Sequence, residues 1–134
     1  MIKEAQQELG DDLKFVFRNF PLTDLHPHAL HAAIAAEAAA LQGKFWQMHD
    51  TLFENQSYLE DSDLVDYAGK LKLDIPQFEE DFEKDNVSMK INDDYDSGLK
   101  SNVQGTPSFF VNGKKFQGNW MGLELIDHMK SLIR

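Results

Sequence analysis

Apolar positions along the chain keep two different periods, and the switch between them marks its parts. Ile2, Ala5 and Leu9 recur at helical spacing and predict a short helix over residues 1–9, ended by Gly10. Leu13-Lys14-Phe15-Val16-Phe17 is apolar with one interruption and predicts a mostly buried strand. Asn19-Phe20-Pro21-Leu22 and His26-Pro27 break it. Pro27 suits the first turn of a helix, where its missing N–H costs nothing. The alanine-rich run to Leu41 continues that helix and Gly43 closes it. Its small side chains imply close packing around much of the circumference.

From Phe45 to about residue 101 every apolar repeat is helical. Phe45, Met48, His49, Leu52 and Phe53 mark one helix. Leu64, Val65, Ala68 and Leu71 mark another, with Asp61-Ser62-Asp63 as candidate caps. Ile75, Phe78 and Phe82 mark the next, and Val87, Met89, Ile91, Tyr95 and Leu99 a further one. The period then changes. Pro107-Ser108-Phe109-Phe110-Val111 predicts a strand, Asn112-Gly113 a two-residue type I′ turn, and Lys115-Phe116-Gln117-Gly118 a return strand. Leu123, Leu125, Ile126, Met129, Leu132 and Ile133 predict a final amphipathic helix. The order of helix, strand, helical block, hairpin and helix predicts an α/β layered fold, and 134 residues are the length of a single domain.

Charge sharpens this division. The chain carries 13 basic and 23 acidic residues, a formal net charge of -10. The segment from Glu54 to Gly98 holds 14 of the acids and 4 of the bases, so the whole imbalance sits there. Such a segment reads either as a recognition surface for a basic partner or as the solvated face of amphipathic helices. No nucleic-acid partner is expected, because phosphate binding depends on clustered Lys and Arg. No stretch reaches the ~18 uncharged apolar residues of a membrane span, so no membrane insertion is expected. Residues Met1 to Gln7 read as helix without an apolar leader core, which predicts a cytoplasmic chain.

Candidate chemistry is sparse. Cysteine is absent, which removes disulfides, thiolate metal sites and cysteine nucleophiles from these 134 residues. His26, His28, His31 and His49 are the metal candidates, and His28 and His31 would share a helix face. No carboxylate stands at ligand spacing beside them, so surface or capping roles are the plainer expectation and no metal or cofactor is assigned. Asn92 to Gly98 has the look of a calcium loop, but its glycine and its twelfth residue, Val103, are out of place, which favours a helix surface. No Gly-rich phosphate loop, nucleophile elbow or zinc-protease motif occurs. Trp46 and Trp120 read as core or rim residues. Gly105-Thr106-Pro107 entering a strand stands apart: the proline cannot donate to a ladder, and a cis bond there would display the backbone of Thr106.

Three blocks together resemble the DsbA-like branch of the thioredoxin superfamily. They are Phe15 to Leu22 continuing through His26-Pro27, then Gly43-Lys44-Phe45-Trp46-Gln47-Met48-His49-Asp50, then Gly105-Thr106-Pro107-Ser108-Phe109-Phe110-Val111-Asn112-Gly113. Similar domains occur fused to sodium/proton antiporters. The resemblance implies a thioredoxin-like α/β fold with a helical insertion over about 45–101, and a thiol–disulfide oxidoreductase ancestry. It also implies that a first central strand and a Cys-x-x-Cys pair belong ahead of the first helix, where this chain has neither. Disulfide exchange needs a thiolate, so the expected outcome is a catalytically inactive chain. What the resemblance leaves is Thr106 and Pro107, the pair that in relatives holds an extended peptide through its backbone.

Three functions follow as rivals: an inactive member of the oxidoreductase family, a peptide-binding module built on Thr106-Pro107, and a metal enzyme using His26, His28 and His31. Without the first strand, Leu13–Arg18 and Pro107–Val111 would face each other with unpaired backbone groups about 10 Å apart. That gap predicts self-association, most simply as a dimer.

Overall fold

A computed structural model of the chain describes residues 2–22, 27–118, 120 and 123–133. In chain order its elements are α1 (Ile2–Leu9), a 3-10 turn (Gly10–Asp12), α2 (Ala29–Ala40), α3 (Phe45–Glu54), α4 (Asp61–Lys70), α5 (Ile75–Phe82), α6 (Asp85–Lys100), β1 (Phe110–Val111), β2 (Lys114–Lys115) and α7 (Glu124–Ser131). They fall into two compact units. One is Arg18–Asn102, and the other joins Met1–Phe17 to Val103–Arg134.

The Arg18–Asn102 unit is helical throughout and is organised by α2. Ala35, Ala36, Ala38 and Ala39 are all buried, and α3, α4, α5 and α6 each pack on this helix. Helix axes approach to a distance set by the side chains between them, and methyl groups keep that distance short. Met48, Leu52, Leu64, Tyr67, Ala68, Leu73 and Phe78 complete the core around these alanines. Burying a side chain such as Phe78 contributes roughly 1.5–3 kcal/mol. Gly43 ends α2 as expected: it takes φ +76°, while the N–H groups of Gly43 and Lys44 bond to the carbonyls of Ala40 and Ala39 at 3.0 and 2.9 Å. The cap of α4 lies one residue earlier than the sequence suggested. Glu60 is its N-cap, and its N–H donates to the Asp63 carboxylate at 3.2 Å.

A buried polar knot ties the start of this unit to its last helix. Asn19 is 4% exposed and Asp94 8%. The backbone N–H and side-chain amide of Asn19 donate to Asp94 Oδ2 at 3.0 and 2.9 Å, and Lys90 Nζ donates to the same oxygen at 2.6 Å. The Asn19 amide also reaches Glu37 Oε1 on α2 at 2.9 Å, and the Phe20 ring stacks on Tyr95 with centroids 4.6 Å apart. The segment read as a strand breaker is therefore an anchor.

In the other unit, α1 buries Ala5 and Leu9, α7 buries Leu125 and Ile126, and Lys130 on α7 pairs with Glu8 on α1. The hairpin is shorter than expected. The sheet has two strands, with Phe110 opposite Lys115 and Val111 opposite Lys114. The strand expected over Leu13–Phe17 is corrected: no strand is assigned there. The segment does alternate half-buried Leu13, Phe15 and Phe17 with exposed Lys14 and Val16, as a strand would. Apolar alternation sets which side chains turn inward, but a strand exists only where a neighbour supplies its ladder. Self-association argued from two facing strand edges loses that footing, since Leu13–Phe17 is not such an edge.

Two buried groups make stability depend on pH. The hydrogen bond from Lys84, with help from Gln77, holds the Asp81 carboxyl below its ordinary value against the opposing effect of burial. The fold thus favours ionised Asp81, a contribution complete above the ordinary carboxylate range and lost as pH falls through the lowered value. Burial pushes the Tyr67 phenol up, with Asp63 and Asp66 adding to it, so the fold favours protonated Tyr67 and loses that preference at alkaline pH. Urea midpoints are expected to fall below about pH 4 and above about pH 10. The acid loss should be smaller in Asp81→Asn; an unchanged acid limb would show that other carboxylates control it.

Candidate functional site

Chemistry at the hairpin mouth begins with a proline. Pro107 has no N–H to give to a ladder, so pairing starts only beyond it: Phe116 N–H donates to the Phe109 carbonyl at 2.8 Å, and β1 and β2 follow. Asn112 at φ +48° and Gly113 at φ +83° supply the two positive φ angles that a type I′ turn requires. The Phe109 and Trp120 ring centroids lie 5.6 Å apart. On the upstream side, Ser108 Oγ donates to the Gly105 carbonyl at 2.6 Å and closes a tight turn around Thr106 and Pro107. The peptide between these two residues is cis. Both residues are exposed.

Among the described residues, neither the N–H nor the carbonyl of Thr106 makes a hydrogen bond. Thr106 thus carries an uncommitted backbone donor and acceptor between the Ser108 bond and the hairpin. Among the described residues the Thr106 hydroxyl makes no hydrogen bond to a side chain that could serve as its base.

The histidine candidates belong to the segment of the helical unit. His26 lies outside the described residues. His28 is exposed at the start of α2, and His31 pairs with Asp61 at 2.6 Å. His49 reaches Asp50 at 3.1 Å and sits within a row of rings on α3 formed with Phe45, Trp46 and Phe53. Among the described residues no three His, Asp or Glu side chains gather as a metal site. Residues 92–98 lie inside α6, which accounts for the calcium-loop spacing as a helix surface. Trp46 is 43% exposed and Trp120 half-buried.

Sequence reasoning missed the Asn19–Asp94 knot and the Asp81–Lys84 pair. The spacings Lys90–Asp94 and Asp81–Lys84 are the i,i+4 and i,i+3 pairs of a helix surface, a signal that was available. Nothing local marked Asn19, whose partner lies 75 residues away.

Curated relatives share this region. The Na(+)/H(+) antiporter NhaA 1 of Mycolicibacterium gilvum is 43% identical over 127 residues, covering 93% of this chain and 21% of the antiporter. NhaA 1 of Salinispora arenicola is 45% identical over 119 residues, covering 87% of this chain and 18% of its own length. NhaA of Herminiimonas arsenicoxydans is 38% identical over 117 residues. The chain therefore spans about a fifth of the length of such relatives. No solved structure matches it. No helix among the described residues is long and apolar enough to cross a membrane. The family model of the DSBA-like thioredoxin domain matches residues 1–134, and the chain belongs to that family.

Proposed function

We propose that this chain is a redox-silent DsbA-like domain that holds extended polypeptide through the backbone of Thr106. The N–H and carbonyl of Thr106, an exposed residue, make no hydrogen bond among the described residues, and this supports the reading. An extended peptide laid beside that residue adds a strand by main-chain pairing, a mode that needs no particular side chain from the host. Absence of cysteine supports the redox-silent half, because exchange requires a thiolate attacking a sulfur.

Two measurements test the halves separately. The 134-residue chain is expected to leave insulin disulfides intact above the rate of the thiol buffer alone; turnover that survives repurification overturns the redox-silent half. In a peptide-binding titration read by nuclear magnetic resonance, Thr106→Val should bind as the parent does, since it keeps the backbone. Thr106→Pro removes the N–H and should weaken binding about two- to ten-fold, the net worth of one hydrogen bond. Equal affinity of both variants would sink the Thr106 site.

The relatives suggest the setting. Their matching regions lie within chains named as sodium/proton antiporters, which supports a role for this domain beside cation transport. Deleting its gene is then expected to slow growth in alkaline, high-sodium medium, and unimpaired growth there counts against the setting while leaving the binding reading intact.

A further inference from the structure

Within the helical unit a cleft of about 220 Å³ opens between α4 and α5. Leu64 and Phe78, each 1% exposed, form its floor, and Val65 and Phe82 its half-buried walls. The rim is Asp61, Glu79 and Glu83, all exposed, and among the described residues no basic side chain lines the cleft. Spacing explains the shape. Asp61, Leu64 and Val65 stand at i, i+3 and i+4 on one face of α4, while Phe78 and Phe82 stand four apart on α5, and Glu79 stands four before Glu83, the residue that caps the end of α5. Apolar and acidic positions thus run side by side down the same groove.

Two of the three rim carboxylates stand without a partner. Glu79 and Glu83 have no ion-pair partner among the described residues. Like charges at i,i+4 repel, so α5 carries a local cost that a cation between them would relieve. Asp61 is held from the other side by His31, at 2.6 Å, and the same imidazole meets the Phe82 ring edge-on with centroids 5.5 Å apart. His31 therefore braces one carboxylate and one wall of the groove in place. The nearby cation Lys84, the N-cap residue of α6, is committed to Asp81 at 2.6 Å.

We propose that the α4–α5 groove is a docking site for a basic polypeptide segment, one Lys or Arg side chain laying its aliphatic stem on Val65, Phe78 and Phe82 and presenting its cation to Asp61, Glu79 and Glu83. The chemistry matches at both ends of such a side chain. Long basic side chains cover apolar surface with their stems while keeping the charge at the edge, and an aromatic face such as that of Phe82 also attracts a cation. The groove lies in the segment that carries the whole net charge of -10, whose field steers basic partners toward it and raises their encounter rate. The same field repels a second copy of this segment. A free small cation gains only the screened attraction of exposed carboxylates, whereas a polypeptide adds contacts along both helices. The site is independent of Thr106 and stands or falls without it.

The test is a nuclear magnetic resonance titration of the full chain with an acetylated, amidated hexapeptide alternating leucine and arginine, its citrulline counterpart, and n-butylammonium chloride. The arginine peptide is expected to give saturable shifts centred on residues 61–65 and 78–83, weakening as salt is raised. The citrulline peptide should bind at least about five-fold more weakly. Glu79→Gln combined with Glu83→Gln should weaken the arginine peptide by a similar factor while keeping the helical circular dichroism, since the change removes a repulsion. Shifts spread over the acidic surface without a maximum at the groove, equal binding of the citrulline peptide, or an unaffected double variant would each overturn the proposal. Saturation by n-butylammonium at the same concentration as the peptide would also overturn it, by showing a site for small cations.

Discussion

Close approach to the alanine face of α2 is the constraint on which the helical unit depends. Four other helices lean on one that offers little beyond methyl groups. Interiors pack at near-crystalline density, so the larger side chains of the neighbours, Met48, Leu64, Tyr67 and Phe78, must fill the volume that α2 leaves. That division of labour fixes where α4 and α5 lie. Leu64 and Phe78 reach inward to the core from the two helices and, at the same time, form the floor of the groove between them.

Polar contacts then select one arrangement among the many that such packing tolerates. Asp94 Oδ2 accepts from two groups of Asn19 and from Lys90, and Asn19 reaches on to Glu37. A buried carboxylate is costly unless its lone pairs are met, and here three donors meet one oxygen. The knot sets the position of residues 19 and 20 against α2 and α6, which apolar packing alone would leave free to slide. Apolar contact supplies the driving force, and these directional bonds supply the register.

The chain separates what a family site owes to side chains from what it owes to backbone. A dithiol depends on two particular side chains, and these 134 residues contain no cysteine to form one. The turn at Gly105–Ser108 depends on a proline that cannot donate and on a serine bond that closes it. Those features are present here and rest on main-chain geometry rather than on sulfur. The net charge is confined to the helical unit, and the hairpin unit is near neutrality.

Helical spacing from Phe45 to Lys100, the glycine stop at Gly43, the Asn112-Gly113 turn and the family blocks were all legible in the chain, because each rests on residues a few positions apart. So was the lack of thiol chemistry, which is a matter of composition. The Leu13–Phe17 segment marks the limit. Its alternation was correctly legible as one face in and one face out, yet strand formation depends on a partner that no local pattern encodes. The Asn19–Asp94 knot and the α4–α5 groove were hidden for the same reason. Hydrogen bonding across 75 residues, and the meeting of Asp61 with Glu79 and Glu83 around two phenylalanines, exist only once packing on α2 has brought separate helices together. Periodicity determines which face each helix buries; which faces meet is decided by the tertiary fold.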